Sequence, residues 1–286
     1  MAKILSGKEV AAAITANVSS RVEELKARGT TPKLAIVRVG EREDDLSYER
    51  GALKRAAACG VEVEQDVLPQ DASQEEVEQT IKRLSADSSV DGILMFRPLA
   101  AHLDQQAIEQ LIEPAKDVDG ITTGSLAGVF SNSGEGFAPC TAAACIEILN
   151  HYGIECAGKR AAVIGRSLVI GRPVAMMLMH ANATLTICHT KTVDAPSITR
   201  EADIVVVAAG RMEAIGAEYF SADQTVIDVG IGWNEEKGRL CGDVKYDEVE
   251  PFVGAITPVP GGVGAVTTSV LMKHVVEAAG KRANQE

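Results

Sequence analysis

Apolar residues near the N-terminus recur at helical spacing. Val10, Ile14, Val18, Val22 and Leu25 predict an amphipathic helix over about 8–28, with Ser6 able to cap it. The period then changes. Leu34–Val39 is an apolar run broken only by Arg38 and ended by Gly40, which reads as a strand. A helix over about 45–59, a strand from Val61 to Leu68, a helix from Glu75 to Leu84, a strand at Gly92–Phe96 and a helix over about 103–113 follow. Together they make a βαβαβ unit. Thr141, after Pro139 and Cys140, is a plausible cap for a helix ending near Gly153. A second α/β set then begins, with strands near Ala161–Ile164, Thr184–Cys188, Ile204–Ala208 and Val226–Val229. The polar, glycine-containing stretch 131–138 is the expected surface crossing, and a last helix covers about 265–280.

Alternating strand and helix patterns define the α/β class. The chain has 286 residues, enough for two domains. The expected division is an N-terminal α/β domain over 1–145 and a second α/β domain over 146–265. A C-terminal helix over 266–286 is expected to return to the first domain. Hydrophobic residues make up 46% of the chain but aromatics only 3%, so the core is mostly aliphatic. The net charge of −12 argues against a nucleic-acid binder, which would carry a basic face. No run reaches membrane-spanning length, and no apolar signal core opens the chain, so a cytoplasmic location is expected. The six cysteines form no CxxC pair; they read as small buried residues in a reducing compartment, and no metal site is expected.

Two glycine-rich stretches carry candidate chemistry. Thr257-Pro-Val-Pro260-Gly261-Gly262-Val-Gly264 cannot continue a helix or a central strand, and it leads into helix-compatible sequence. A shaped loop therefore opens a helix whose first amides are free to meet a ligand. The second stretch is Ala161-Ala-Val-Ile-Gly165, a buried strand that ends in glycine, followed by Arg166, Ser167, Gly171 and Pro173. A strand, a glycine turn and a helix start are what backbone approach to a pyrophosphate requires. Ser167 replaces the second glycine of GxGxxG, and the spacing to Gly171 is wider. The next strand ends Cys188-His189-Thr190-Lys191, with no acid to meet a ribose diol. NADP is therefore predicted over NAD, which stands second. His189 and Lys191 taken singly read as solvated surface. Gly210 and Ile231 follow two further strands and are candidate walls beside the cofactor. In the first domain Tyr48 can donate a hydrogen bond and stack on a flat heterocycle, and Asp119 can accept from an amino-pyrimidine edge.

With these residues in place the chain resembles the methylenetetrahydrofolate dehydrogenase/cyclohydrolase family over essentially its whole length. The resemblance is carried by Tyr48 with Gly60, Asp91–Leu94, Pro98-Leu99, Lys116–Gly120, Pro139–Thr141, Gly165–Pro173, Val226–Ile231 and Thr257–Gly264. It implies oxidation of 5,10-methylenetetrahydrofolate to the methenyl form by hydride transfer to NAD(P). Hydrolysis of that product to 10-formyltetrahydrofolate follows in most members, and the family's members are two-domain homodimers, which implies a folate-binding substrate domain over 1–145 and a Rossmann-like, NAD(P)-binding domain over 146–265. It implies that Tyr48 and Asp119 serve catalysis and folate binding, with Pro260, Gly261 and Gly262 bordering the folate. Gly165, Arg166, Ser167, Thr190 and Ile231 match cofactor-contacting positions, and Thr267 lies near the cofactor.

The chain departs from that pattern at the hydrolytic network. The family's Tyr-x-x-x-Lys lysine, central to hydrolysis, is Ala52 here, with no gap between Gly40, Tyr48 and Gly60. Lys54 stands about 200° further round the helix, and Arg50 is displaced in the same way. The family's third strand reads Gln-Leu-Pro-Leu, and its glutamine holds that lysine. Here Phe96-Arg97-Pro98-Leu99 replaces it, and regular alternation would turn Arg97 to the opposite face. Asp45 stands where the family usually has serine; Ala142, Ala144, Gly232 and Ala265-Val266 are further changes. The expectation is a dehydrogenase with weak or absent cyclohydrolase activity. The alternatives are the usual bifunctional enzyme, with Asp45, Arg50 or Arg97 rescuing hydrolysis, and a non-catalytic folate- or nucleotide-binding protein.

Overall fold

A computed structural model describes residues 1–284. In chain order its elements begin with β1 (Lys3–Ile4), α1 (Gly7–Ala27), β2 (Lys33–Val39), α2 (Glu43–Cys59), β3 (Glu62–Leu68), α3 (Gln74–Ala86) and β4 (Gly92–Met95). There follow α4 (Gln105–Glu109), α5 (Thr123–Ser131), α6 (Cys140–His151), β5 (Arg160–Ile164), α7 (Gly171–His180), β6 (Thr184–Cys188), α8 (Ala195–Arg200), β7 (Ile204–Val207) and β8 (Thr225–Asp228). The chain closes with β9 (Gly232–Asn234), β10 (Arg239–Cys241), α9 (Tyr246–Val249), β11 (Ala255–Ile256) and α10 (Thr267–Ala283). Two compact units result, one of Met1–Ala11 with Thr141–Thr267, the other of Ala12–Cys140 with Thr268 onward.

The second of these units is built on a parallel sheet ordered β3-β2-β4. Its core packs Val37, Val77, Ile81, Leu84, Ile93, Met95 and Ile108. Helix α2 buries Asp45, Glu49, Ala52, Ala56 and Cys59, a spacing of three and four that keeps one face inward. Helix α3 is started by a reciprocal cap: Glu76 N–H donates to the Ser73 hydroxyl, and the Glu76 carboxylate accepts from Ser73 N–H at 2.7 Å. Ser73→Ala is expected to lower the stability of this unit by about 1 kcal/mol, read as an earlier urea midpoint with an unchanged slope. The C-terminal helix belongs to the same unit. Arg282 donates to both Asp91 carboxylate oxygens at 2.8 and 3.2 Å, and the His274 and Phe137 rings lie 4.9 Å apart.

The other unit is built on a parallel sheet ordered β1-β11-β8-β7-β5-β6 among the described residues, with an antiparallel β9–β10 hairpin beside it. The chain passes from β5 to β6 on one side, then crosses to β7 on the other. The order reverses at β5, so a crevice opens at the carboxyl ends of β5 and β7.

Two local expectations need correction, and one helix was not expected. Residues 1–145 were expected in one domain, but β1 joins the six-stranded sheet, where Lys3 N–H donates to Gly254 O and Leu5 N–H to Ile256 O. A two-residue strand is too short to carry a period. The helix expected over 103–113 stops at Glu109 and is followed by a 3₁₀ turn at Pro114–Lys116. Helix α5, unmarked by any clear period, starts where Thr122 accepts from Ser125 N–H while the buried Asp117 carboxylate holds Ile121 and Thr122 N–H.

Candidate active site

In the six-stranded unit, β5 delivers its last buried residue, Ile164, to the crevice, and Gly165 turns the chain with φ 124°. An added Cβ there would lie 2.9 Å from the Ala208 carbonyl carbon and closer to its oxygen. The turn is held from both sides: Gly165 N–H donates to Cys188 O at 2.9 Å, and Ala208 N–H to Ile164 O at 2.8 Å. Gly171 opens α7 directly against the Gly165 carbonyl. Ser167 closes the turn internally, its hydroxyl accepting from Ile170 and Gly171 N–H at 3.2 and 3.4 Å. Gly210, after β7, has φ 65°, open space where a Cβ would stand, and an N–H donated to the Asp243 carboxylate at 2.8 Å. Past β6, Lys191 N–H donates to His189 Nδ1 at 3.1 Å and His189 N–H to the Thr192 hydroxyl at 2.8 Å, so Thr190 sits in a hydrogen-bonded turn.

The glycine-rich loop is anchored in the same unit. The Thr257 hydroxyl accepts from Asp228 N–H at 2.8 Å, and Gly7 N–H donates to Gly261 O at 2.8 Å. Gly7 is a residue the sequence reading missed: a Cβ on it would lie 2.7 Å from the Gly262 carbonyl carbon. Pro260 and Gly262 thus run over the start of α1, and Thr267 begins α10 with its hydroxyl on Gly264 O at 3.3 Å. The exposed Ile231 lies at van der Waals distance from the position of a Gly264 Cβ. Asp228 and Asp243 were also missed. The Asp228 carboxylate accepts from Gly230, Asp243 and Val244 N–H at 3.0–3.1 Å, and burial pushes its acid up to about 7. Together they tie the strand ends to the loops.

In the three-stranded unit, Tyr48 on α2 meets the Phe96 ring edge-on, with centroids 5.9 Å apart. Ala52, one turn further on, is fully buried. Arg50 and Lys54 are exposed, as their rotation about the helix predicts. Asp45 is buried, and loss of water pushes its acid up. Asp119 is half-buried; burial pushes its acid up to about 6 against the Arg97 charge. Strand β4 ends at Met95, so alternation does not extend to Arg97, and its guanidinium lies 3.9 Å from the Asp119 carboxylate.

A glycine turn at the reversal point of a parallel sheet defines a dinucleotide-type α/β protein. The model for the catalytic domain of tetrahydrofolate dehydrogenase/cyclohydrolase matches residues 5–119, and that for its NAD(P)-binding domain matches residues 139–283. The chain belongs to this family. The bifunctional protein FolD of Carboxydothermus hydrogenoformans is 50% identical over 279 residues, 97% of each chain. The crystal structure of the bifunctional FolD dehydrogenase/cyclohydrolase of Campylobacter jejuni matches with a TM-score of 0.95 at 35% identity, over 99% of this chain and 100% of that one. The Trypanosoma brucei dehydrogenase-cyclohydrolase, solved with NADP and an inhibitor, matches at 0.91 with 36% identity over 98% of each chain.

Proposed function

We propose that the chain is an NADP-dependent 5,10-methylenetetrahydrofolate dehydrogenase, taking hydride from the one-carbon bridge and leaving methenyltetrahydrofolate. The observation that carries this is the Gly165 turn, a cradle that a Cβ would fill, in a chain of a folate-oxidising family. Gly165, Arg166, Ser167 and Gly171 would hold the pyrophosphate, with Arg166 and Thr190 serving the adenosine ribose. No carboxylate follows β6 before Asp194, so a 2′-phosphate meets Arg166 and Lys191 rather than an acid. The NADP complex of the Trypanosoma brucei relative supports the same choice. Gly210, Ile231 and Thr267 would flank the nicotinamide.

Bound NADP supplies the hydride-accepting ring. The chain's own residues bind and orient. Tyr48 stacks on or aligns the folate rings, Asp119 accepts from the amino-pyrimidine end, and Pro260–Gly262 border the folate. Hydride departure needs aligned rings rather than a protein base. Assembly as a homodimer is part of the same family-based reading.

On hydrolysis two readings stand. The relatives' names carry both activities and favour the bifunctional one. Ala52 and Phe96 favour its loss, because a methyl and a phenyl ring neither activate water nor carry a proton. One assay addresses the whole proposal. With methylenetetrahydrofolate, reduced nucleotide and the methenyl band are expected to rise together, with kcat/KM higher for NADP than for NAD. Preference for NAD overturns the cofactor assignment. No reduction of either nucleotide restores the non-catalytic binding protein.

A further inference from the structure

We propose that Arg97 is a positioning residue for Asp119, a cation anchored on Glu109 that holds the folate-binding carboxylate ready without occupying it. The inference rests on the assignment of Asp119 to the amino-pyrimidine end of the folate. It goes beyond the family pattern, in which this position is leucine.

A relay of contacts fixes the guanidinium. Leu99 N–H donates to the Gln105 side-chain oxygen at 2.9 Å, and the Gln105 amide donates to Glu109 at 2.8 Å. Arg97 Nη1 donates to the same Glu109 oxygen at 3.2 Å. Its other arm, Nη2, stops 3.9 Å from Asp119 Oδ2, beyond hydrogen-bond reach. Arg97 therefore spends its hydrogen bond on Glu109 and acts on Asp119 through its field. The Asp119 side chain keeps 24% of its surface open, enough for a donor to approach.

The other groups around Asp119 do not replace this charge. Asp117, on the same turn, is a fully buried carboxylate committed to Ile121 and Thr122 N–H, and it repels a second negative charge. Cys140, at the start of α6, donates its thiol to the Val118 carbonyl at 3.3 Å and interacts with Asp119, and burial keeps the thiol protonated. His274, from α10, faces the Val118 carbonyl at 2.9 Å and the Cys140 sulfur at 3.8 Å. Burial and Asp117 favour the neutral acid, and Arg97 opposes both.

The sign follows. An amino-pyrimidine donates, so it needs the ionised carboxylate. Removing Arg97 raises the pH at which Asp119 ionises, and folate affinity is then lost from a higher pH downward. The test is kcat/KM for methylenetetrahydrofolate with saturating NADP, from about pH 5 to pH 9, in the full chain and in Arg97→Leu and Arg97→Lys. For Arg97→Leu the acidic limb is expected to move up by about one to three pH units. KM at pH 7 should rise about twofold for a displacement of one unit and about tenfold for two, while kcat changes by less than about threefold. Arg97→Lys, which keeps the charge, should recover most of the shift. Calorimetric binding of tetrahydrofolate should show the same displacement without turnover, and unchanged NADP affinity checks that the nucleotide site is intact. An unmoved acidic limb in an active Arg97→Leu enzyme overturns this inference alone. So does a displacement that lysine fails to reverse. A wild-type chain that oxidises no methylenetetrahydrofolate removes the underlying reading as well.

Discussion

Given 5,10-methenyltetrahydrofolate at neutral pH, this protein is expected to form 10-formyltetrahydrofolate about 10²–10⁴-fold more slowly than the Campylobacter jejuni enzyme assayed beside it, the range that general acid–base help supplies. The dehydrogenase step should leave the methenyl form standing in solution. The reason is local. Helix α2 presents Tyr48 and then, one turn on, the buried methyl of Ala52. The Phe96 ring meets Tyr48 edge-on, at the position where the resemblance leads one to expect an amide. The basic residues nearest in sequence, Arg50 and Lys54, lie on the solvent side of the helix. Hydride transfer loses nothing by these changes, since orientation of two rings is the main requirement. Methenyl hydrolysis at a rate comparable with the Campylobacter enzyme would establish the bifunctional reading. Asp45 and Arg97 would then be the side chains to replace next. If hydrolysis is slow, a separate hydrolase must consume the methenyl product.

Gly165→Ala is expected to be the most damaging single methyl group in the nucleotide-type unit. A residue with a Cβ is strained at φ 124°, and the methyl would press on the Ala208 backbone rather than on a side chain that could move. Relief by shifting the turn would break the Gly165–Cys188 or Ala208–Ile164 hydrogen bond. A loss of about 3–5 kcal/mol is expected, together with NADP binding weakened at least a hundredfold. Gly210→Ala is the control. Its φ is also positive, yet nothing stands within 4 Å of the added methyl, so about 1–2 kcal/mol is expected. Thermal melts and NADP fluorescence titrations of both variants make the comparison. A Gly165→Ala protein that melts with the wild type and binds NADP normally would refute the cradle.

Most of what locates these sites was legible along the chain. Strands β2 and β5 announce themselves as apolar runs ended by glycine, because both faces of a parallel sheet are covered. The 3.6-residue period of α2 was enough to put Tyr48 and Ala52 on one side and Lys54 on the other, since rotation about a helix is a local property. The short pieces were not legible. Strand β1 has two residues and no period; its place comes from carbonyls at Gly254 and Ile256, some 250 positions away. Helix α5 begins on a cap supported by Asp117, a buried carboxylate whose neighbours alone make it structural.

The division is physical. Residue types and spacing were sufficient for the class of fold, the glycine turn, the missing acid after β6, and the placing of Tyr48 and Ala52 on one face of α2. They were sufficient because helix and strand periods and glycine's freedom act between near neighbours. Folding had to be complete before Gly7 could meet Gly262, before Asp228 could gather three N–H groups from two loops, and before Arg97 could face Asp119. The last case shows why: Arg97 lies past the end of β4, where no strand period sets its direction, and its partners Glu109 and Asp119 come from elsewhere in the chain. Charges that lie 22 positions apart in the sequence then stand 3.9 Å apart in space.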